Sequence, residues 1–287
     1  MKEVMIITDT LSAITSEIAD ENDIIVVPYH LIFDGKDYLD NTFHREELFA
    51  RLESYQNLPT HSACTMGEIL EAYKKASQRT KGILFIALSS SMSADYNAAL
   101  QAKEMAKQEL PNTVIEVVDS RTVISGELLV VLAAARAANE GKSLSEAADI
   151  ARQVVQKLTF INAPETLFFL QRSGRGGGDS KVAKAPIPIY ALMAMDVSSG
   201  GTGQIIAKHR TKTKAIEALL DIVKEKSGGK KLHAAISYSN NPEEAEALKK
   251  KLLSQFKVSE IYVTPYSIVA CVVTGPRCVS LGFYSED

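Results

Sequence analysis

Gly82-Ile83-Leu84-Phe85-Ile86-Ala87-Leu88-Ser89-Ser90-Ser91-Met92-Ser93 is the stretch on which the reading of the fold turns. An unbroken apolar run follows a glycine and stops at a serine cluster. A strand that is apolar on both faces needs cover on both, as in a parallel sheet flanked by helices.

Working outward, the neighbouring segments keep the same rhythm. Val4–Thr8 reads as a buried strand, with Thr10 or Ser12 opening a short helix. Ile24–Phe33 is β-branched and aromatic and reads as one strand, ending in the turn Asp34-Gly35. Apolar residues recur at three- and four-residue spacing over Glu46–Tyr55 and Gly67–Ala76, which predicts helices. A helix near Ala94–Lys107 and a short strand, Val114–Val118, continue the alternation. The first half is therefore expected to be a doubly wound α/β domain with a parallel sheet. Ser143-Leu144-Ser145-Glu146 has capping-box spacing and predicts a helix to about Leu158. A domain boundary is expected just after it, near Thr159, giving units 1–159 and 160–287.

The second half reads differently. Ile187–Met195 and Gln204–His209 look like strands of a hairpin around Ser198-Ser199-Gly200-Gly201. A helix at Lys212–Lys224, a strand at Leu232–Ser237, a helix at Pro242–Leu253, and strands at Glu260–Thr264 and Cys278–Tyr284 follow. A hairpin joined to βαβ elements predicts a mixed-sheet α/β domain. Ser173-Gly174-Arg175-Gly176-Gly177-Gly178 reads as a flexible loop.

Composition narrows the class of function. With 287 residues, 46% of them apolar, the chain can bury two cores. A formal charge of −3 gives no electrostatic reason to expect nucleic acid or an anionic membrane as partner. The longest apolar run, Leu128 to Ala135, stops at Arg136, far short of a bilayer span, so no stable membrane insertion is expected. The N-terminus passes directly into a strand pattern, so no secretory signal is expected. Three cysteines, Cys64, Cys271 and Cys278, have neither an even count nor C-x-x-C spacing, so reduced, packed thiols and a cytoplasmic location are expected.

Candidate chemistry sits where strands hand over to helices, because a helix N-terminus offers free amides and partial positive charge to an anion. Ser93 and its neighbouring amides could hold an anionic head group; equally, Ser91 or Ser93 could be a simple N-cap. His61 and Ser62 precede another helix and could donate to an anion, or form a capping loop with an incidental histidine. Asp9 reads as structural, since position 11 is Leu11 and no second carboxylate stands there. Arg210, in the basic run His209-Arg210-Thr211-Lys212, could contact a phosphate or a partner, or be solvated. No histidine spacing suggests a metal, no complete catalytic set is apparent, and no cofactor is expected.

Taken together, the segments resemble the DegV family of bacterial fatty-acid-binding proteins over nearly the whole chain. The pieces are Ile7-Thr8-Asp9-Thr10, Val26-Val27-Pro28 with Tyr38-Leu39-Asp40, Ser89-Ser90-Ser91-Met92-Ser93 with Tyr96, and Val118-Asp119-Ser120 with Gly126-Glu127. Leu167-Phe168-Phe169-Leu170 before Ser173-Gly174-Arg175, then Arg210-Thr211-Lys212 and Thr274-Gly275-Pro276, complete the set. The resemblance implies a long-chain fatty acid buried in the protein and a carboxylate held by hydroxyls at loops matching His61-Ser62 and Ser93. It further implies a carrier that presents the acid to a separate fatty-acid kinase and is not itself an enzyme. The resemblance is to a divergent member: where the family has T-S-x-P-S this chain has His61-Ser62-Ala63-Cys64-Thr65, for S-G-T-Y it has Ser93-Ala94-Asp95-Tyr96, and for G-G-R it has Ser173-Gly174-Arg175. Asp95 thereby brings a carboxylate near the expected anion site. The alternatives are an enzyme on a small phosphorylated or carboxylated metabolite, with Asp9, Asp95 or His61 as acid or base, and an interaction module that has lost lipid binding. For the carrier, the apolar strands predict a long cavity between the first sheet and its helices, opening near Ser62 and Ser93.

Overall fold

The computed structural model describes residues 2–54, 56–175 and 190–286. β1 (Lys2–Asp9) ends in a 3-10 turn, and α1 (Ser16–Asn22) leads into β2 (Ile24–Val27). Short strands β3 (His30–Phe33) and β4 (Lys36–Leu39), helix α2 (Arg45–Ser54) and strand β5 (Thr60–Ser62) follow. Then come α3 (Met66–Ser77), β6 (Thr80–Ala87), α4 (Asp95–Glu109), β7 (Val114–Asp119), α5 (Ser125–Asn139) and α6 (Leu144–Lys157). β6, the quoted apolar run, is central in an all-parallel sheet of order β2-β1-β6-β7. Chain direction across the sheet reverses between β1 and β6. That is the switch point beyond whose strand ends ligands bind in open α/β sheets.

The expected single strand Ile24–Phe33 is two strands in two sheets. Pro28 has no N–H for a ladder, and the Tyr29 N–H donates to Thr10 Oγ1 at 3.1 Å instead. The chain therefore leaves the parallel sheet after Val27, and β3 pairs antiparallel with β4 and β5.

The second half is β8 (Thr159–Ala163), α7 (Phe168–Arg172), β9 (Tyr190–Met195), β10 (Gln204–His209), α8 (Lys212–Ser227), β11 (Leu232–Tyr238), α9 (Pro242–Gln255), β12 (Val258–Pro265), α10 (Ile268–Thr274) and β13 (Val279–Ser285). Its sheet, ordered β10-β9-β8-β13-β11-β12, is mixed as expected, with only β11 and β12 parallel. The hairpin is β9–β10; the part of the expected strand before Tyr190, and Gly176-Gly177-Gly178, lie outside the described residues.

One face of the mixed sheet packs Ile161, Leu192, Ile236 and Leu281 against α8 and α9. The other face turns toward the first half. Between the two sheets runs α5, in contact with β1 on one side and with β13 and β11 on the other. All of α5 from Ser125 to Ala138 is buried except Arg136, so its sequence shows no polar face to reveal a helical period. Its N-terminus touches β13 directly. A Cβ on Gly282 would lie 2.6 Å from the Ser125 carbonyl oxygen, so only glycine permits this approach. The largest buried cluster consequently joins residues of both halves, from Val4 and Phe85 to Phe160 and Tyr266.

Candidate functional site

Beyond the ends of β1 and β6 lies a cavity of about 230 Å³. It does not lie between the first sheet and its helices, as the sequence suggested. It opens between the two halves, because α10 and the inner face of β8 and β9 close it from the other side: Val269, Val273, Phe160, Met193 and Met195 all line it. In β8 and β9 alternate side chains face alternate sides, which puts Phe160 and Met193 inward and Ile161 and Leu192 outward.

The three residues expected to hold the carboxylate come together here. His61, Ser62 and Ser93 line the cavity. Arg210 does not; it is exposed between β10 and α8, where the N-cap is Thr211. Capping duties fall elsewhere in each loop. Thr65, not His61 or Ser62, caps α3 through a full capping box with Glu68, which leaves His61 and Ser62 as consecutive residues at the end of β5. At α4 the N-cap position is Ala94, without a side-chain bond; Ser93 Oγ accepts from the Asp95 N–H at 3.3 Å. Ser93 Oγ also lies 2.9 Å from the hydroxyl of Tyr29, a cavity residue that sequence reading passed over inside an assumed strand. Of the two hydroxyl hydrogens in this pair, the mutual bond uses one. The other meets no acceptor among the described residues.

Arg175 also reaches the cavity, with its Nε donating to the Met92 carbonyl at 3.3 Å. Arg172 is tied to the carbonyls of Pro59 and Leu58, just before His61. Burial and these two cations lower the His61 pKa to about 4, so its imidazole is neutral at pH 7. The charges that act on His61 are these two arginines, not the Asp95 carboxylate.

Asp95 is fully buried behind the cavity wall, not in it. It belongs to a cluster with Asp9 and Glu127, both also 0% exposed. Asp9 Oδ1 accepts from the Leu11 N–H at 2.7 Å and Oδ2 from the Leu88 N–H at 3.3 Å, a structural tie between the ends of β1 and β6. Among the described residues both Asp95 oxygens and Glu127 Oε2 lack a hydrogen-bond partner in the geometry observed, with only the Cys64 thiol near enough to favour an Asp95 carboxylate. Burial, together with the charge of Asp9, pushes the Asp95 and Glu127 carboxyls well above the usual range. Both are thus held as neutral acids hydrogen-bonded to Asp9, the first group of the three to ionise, at about 6. The wall carries a second tense element. Ile124, β-branched and lining the cavity, has φ +53° and is held there by its N–H bond to the Leu11 carbonyl.

The model of the DegV family, a family of uncharacterised proteins, matches residues 3–286. The chain belongs to the DegV family. Curated relatives include a DegV domain-containing protein of Streptococcus pyogenes serotype M1, 27% identical over 279 residues and 96% of each chain. Another, from Clostridium perfringens, is 27% identical over 286 residues and 99% of each chain. Among solved structures, a DegV family protein from Thermus thermophilus described by its fatty acid binding superposes with a TM-score of 0.88 at 24% identity, covering 100% of both chains. DegV of Bacillus subtilis, described as a fatty acid binding protein, gives 0.87 at 20% identity and 100% of both. A stearic acid-binding protein from Eubacterium ventriosum gives 0.86 at 21%, over 99% of this chain and 98% of that one. At these identities the likeness establishes the DegV fold. Among the described residues no helix is long and apolar enough to cross a membrane.

Proposed function

We propose that this DegV protein binds a long-chain fatty acid, tail in the cavity between its two sheets and carboxylate at Ser93, Ser62 and His61. The observation that carries the reading is the Tyr29–Ser93 pair: a hydroxyl hydrogen without a partner among the described residues, at the polar end of a cavity lined chiefly by apolar side chains. Each buried methylene contributes about 0.8 kcal/mol to holding a tail there, and hydrogen bonds offset the desolvation of the carboxylate. Arg175 adds a cation at the same end. The described relatives that bind fatty acids share the fold and support the reading. The cavity lining contains no carboxylate among the described residues, which disfavours an acid/base enzyme built on Asp9 or Asp95.

In this reading the protein is a carrier that presents the head group to a separate fatty-acid kinase, and exposed Arg210 meets the partner or the new phosphate. Native mass spectrometry of protein purified from cells tests the first part. A co-purified long-chain acid is expected; an empty protein that also fails to take up added palmitic acid ends the reading. For the second part, Arg210→Glu is expected to slow phosphoryl transfer to the bound acid without changing acid affinity. Unchanged transfer removes Arg210 from the partner surface.

A further inference from the structure

The apolar part of the cavity holds one polar side chain that a plain acyl chain would leave unsatisfied. Asn162, on the inward face of β8 two residues after Phe160, is 4% exposed and lines the cavity. Its Oδ1 accepts twice, from the Tyr266 hydroxyl at 3.2 Å and from the Cys278 thiol at 2.8 Å. Both donors are themselves buried, at 1% and 0% exposure. The amide is therefore fixed from behind. Its remaining polar atom, Nδ2, has no hydrogen-bond partner among the described residues and is not among the enclosed orphans, so it opens into the cavity.

Asn162 pairs across the sheet with Met193, and the same lining carries Phe160 and Val273. Burying an amide against methylenes alone forfeits its hydrogen bonds to water and costs affinity. A ligand oxygen at this point restores the bond. Turning the amide over, so that nitrogen faces Tyr266 and Cys278, would present an acceptor to the cavity in place of a donor. A hydroxyl both donates and accepts, and so satisfies either arrangement; an ether or a keto oxygen satisfies only one.

We propose that Asn162 forms a polar subsite within the acyl cavity and that the preferred ligand is a hydroxylated fatty acid, its hydroxyl bonded to the Asn162 amide. This rests on the fatty-acid reading and narrows it to an oxygenated subclass. Tyr266 and Cys278 are positioning residues, which aim the amide and do not touch the ligand.

The test is a competition assay on the wild-type protein, with palmitic acid and a series of mono-hydroxypalmitic acids that differ only in the hydroxylated carbon. At least one isomer is expected to bind about tenfold more tightly than palmitic acid, the worth of one buried hydrogen bond. Isomers with the hydroxyl elsewhere along the chain are expected to bind more weakly than palmitic acid. Asn162→Leu is expected to abolish the preference among the isomers. The wild-type series decides the matter even if that variant fails to fold. Palmitic acid binding at least as tightly as every isomer overturns the subsite while leaving the fatty-acid reading intact. Failure of palmitic acid and of all isomers to bind overturns both.

Discussion

Tyr29 and Ser93, 64 positions apart in sequence, meet with their hydroxyl oxygens 2.9 Å apart at the wall of the cavity. The bend after Pro28 supplies one partner and the turn out of β6 the other. Ser93 is half-buried, whereas Ser62 is exposed. Ser93→Ala is therefore expected to weaken fatty-acid binding more than Ser62→Ala. Losing a hydrogen bond to a charged group costs about 1.5–3 kcal/mol, roughly ten- to a hundredfold in affinity. Displacement of a fluorescent fatty acid measures it, and equal affinities of wild type and Ser93→Ala would remove Ser93 from the site.

His61 should report on Arg175. With Arg175→Gln, one of the two cations that oppose its protonation is gone, and the His61 pKa is expected to rise from about 4 toward the ordinary 6.5. NMR titration of the imidazole follows this directly. In the wild type, His61 is neutral from pH 8 down to pH 6, so it contributes no pH dependence to ligand binding there. Tighter binding over that range, abolished by His61→Thr, would contradict the assigned charge state.

The acid cluster should make the protein less stable as pH rises. Asp9 binds its proton more tightly in the folded chain, at about 6 against 3.8. Its favourable contribution is complete below about pH 4 and is lost as pH climbs through 6. Asp95 and Glu127, raised further, extend the loss to higher pH. Asp95→Asn keeps a donor toward Asp9 but cannot ionise, so its melting temperature is expected to fall less between pH 6 and 9 than that of the wild type. Parallel curves for the two proteins would show that Asp95 is not held neutral.

Gly282→Ala tests the seat of α5. The added methyl would meet the Ser125 carbonyl and the Gly126 amide at 2.6 and 2.7 Å, backbone atoms that cannot swing aside. A loss of about 1–3 kcal/mol is expected, read by denaturant unfolding; a neutral substitution would mean that α5 sits farther from β13.

Much of the site was legible as positions but not as roles. Ser93, Ser62 and His61 stand at strand ends, and the serine cluster after an apolar strand marks such an end. Tyr29 and Asn162 carried no signal of this kind. Each is an isolated polar residue in an apolar strand segment, and only the packing of distant elements turns both toward one cavity. Arg175 read only as part of a flexible glycine-rich loop for the same reason.

Local chemistry in the sequence determined the elements: the apolar run of β6, the capping boxes at Thr65 and Ser143, and the alternation that makes the first sheet parallel. The tertiary structure alone decided three things. It split Ile24–Phe33 at Pro28, buried the uniformly apolar α5 between two sheets, and opened the cavity between the halves. Periodicity records which faces of an element avoid water, but not which distant surface covers them. A helix buried on every side, like a cavity walled by both halves of the chain, depends on that pairing and therefore leaves no period to read.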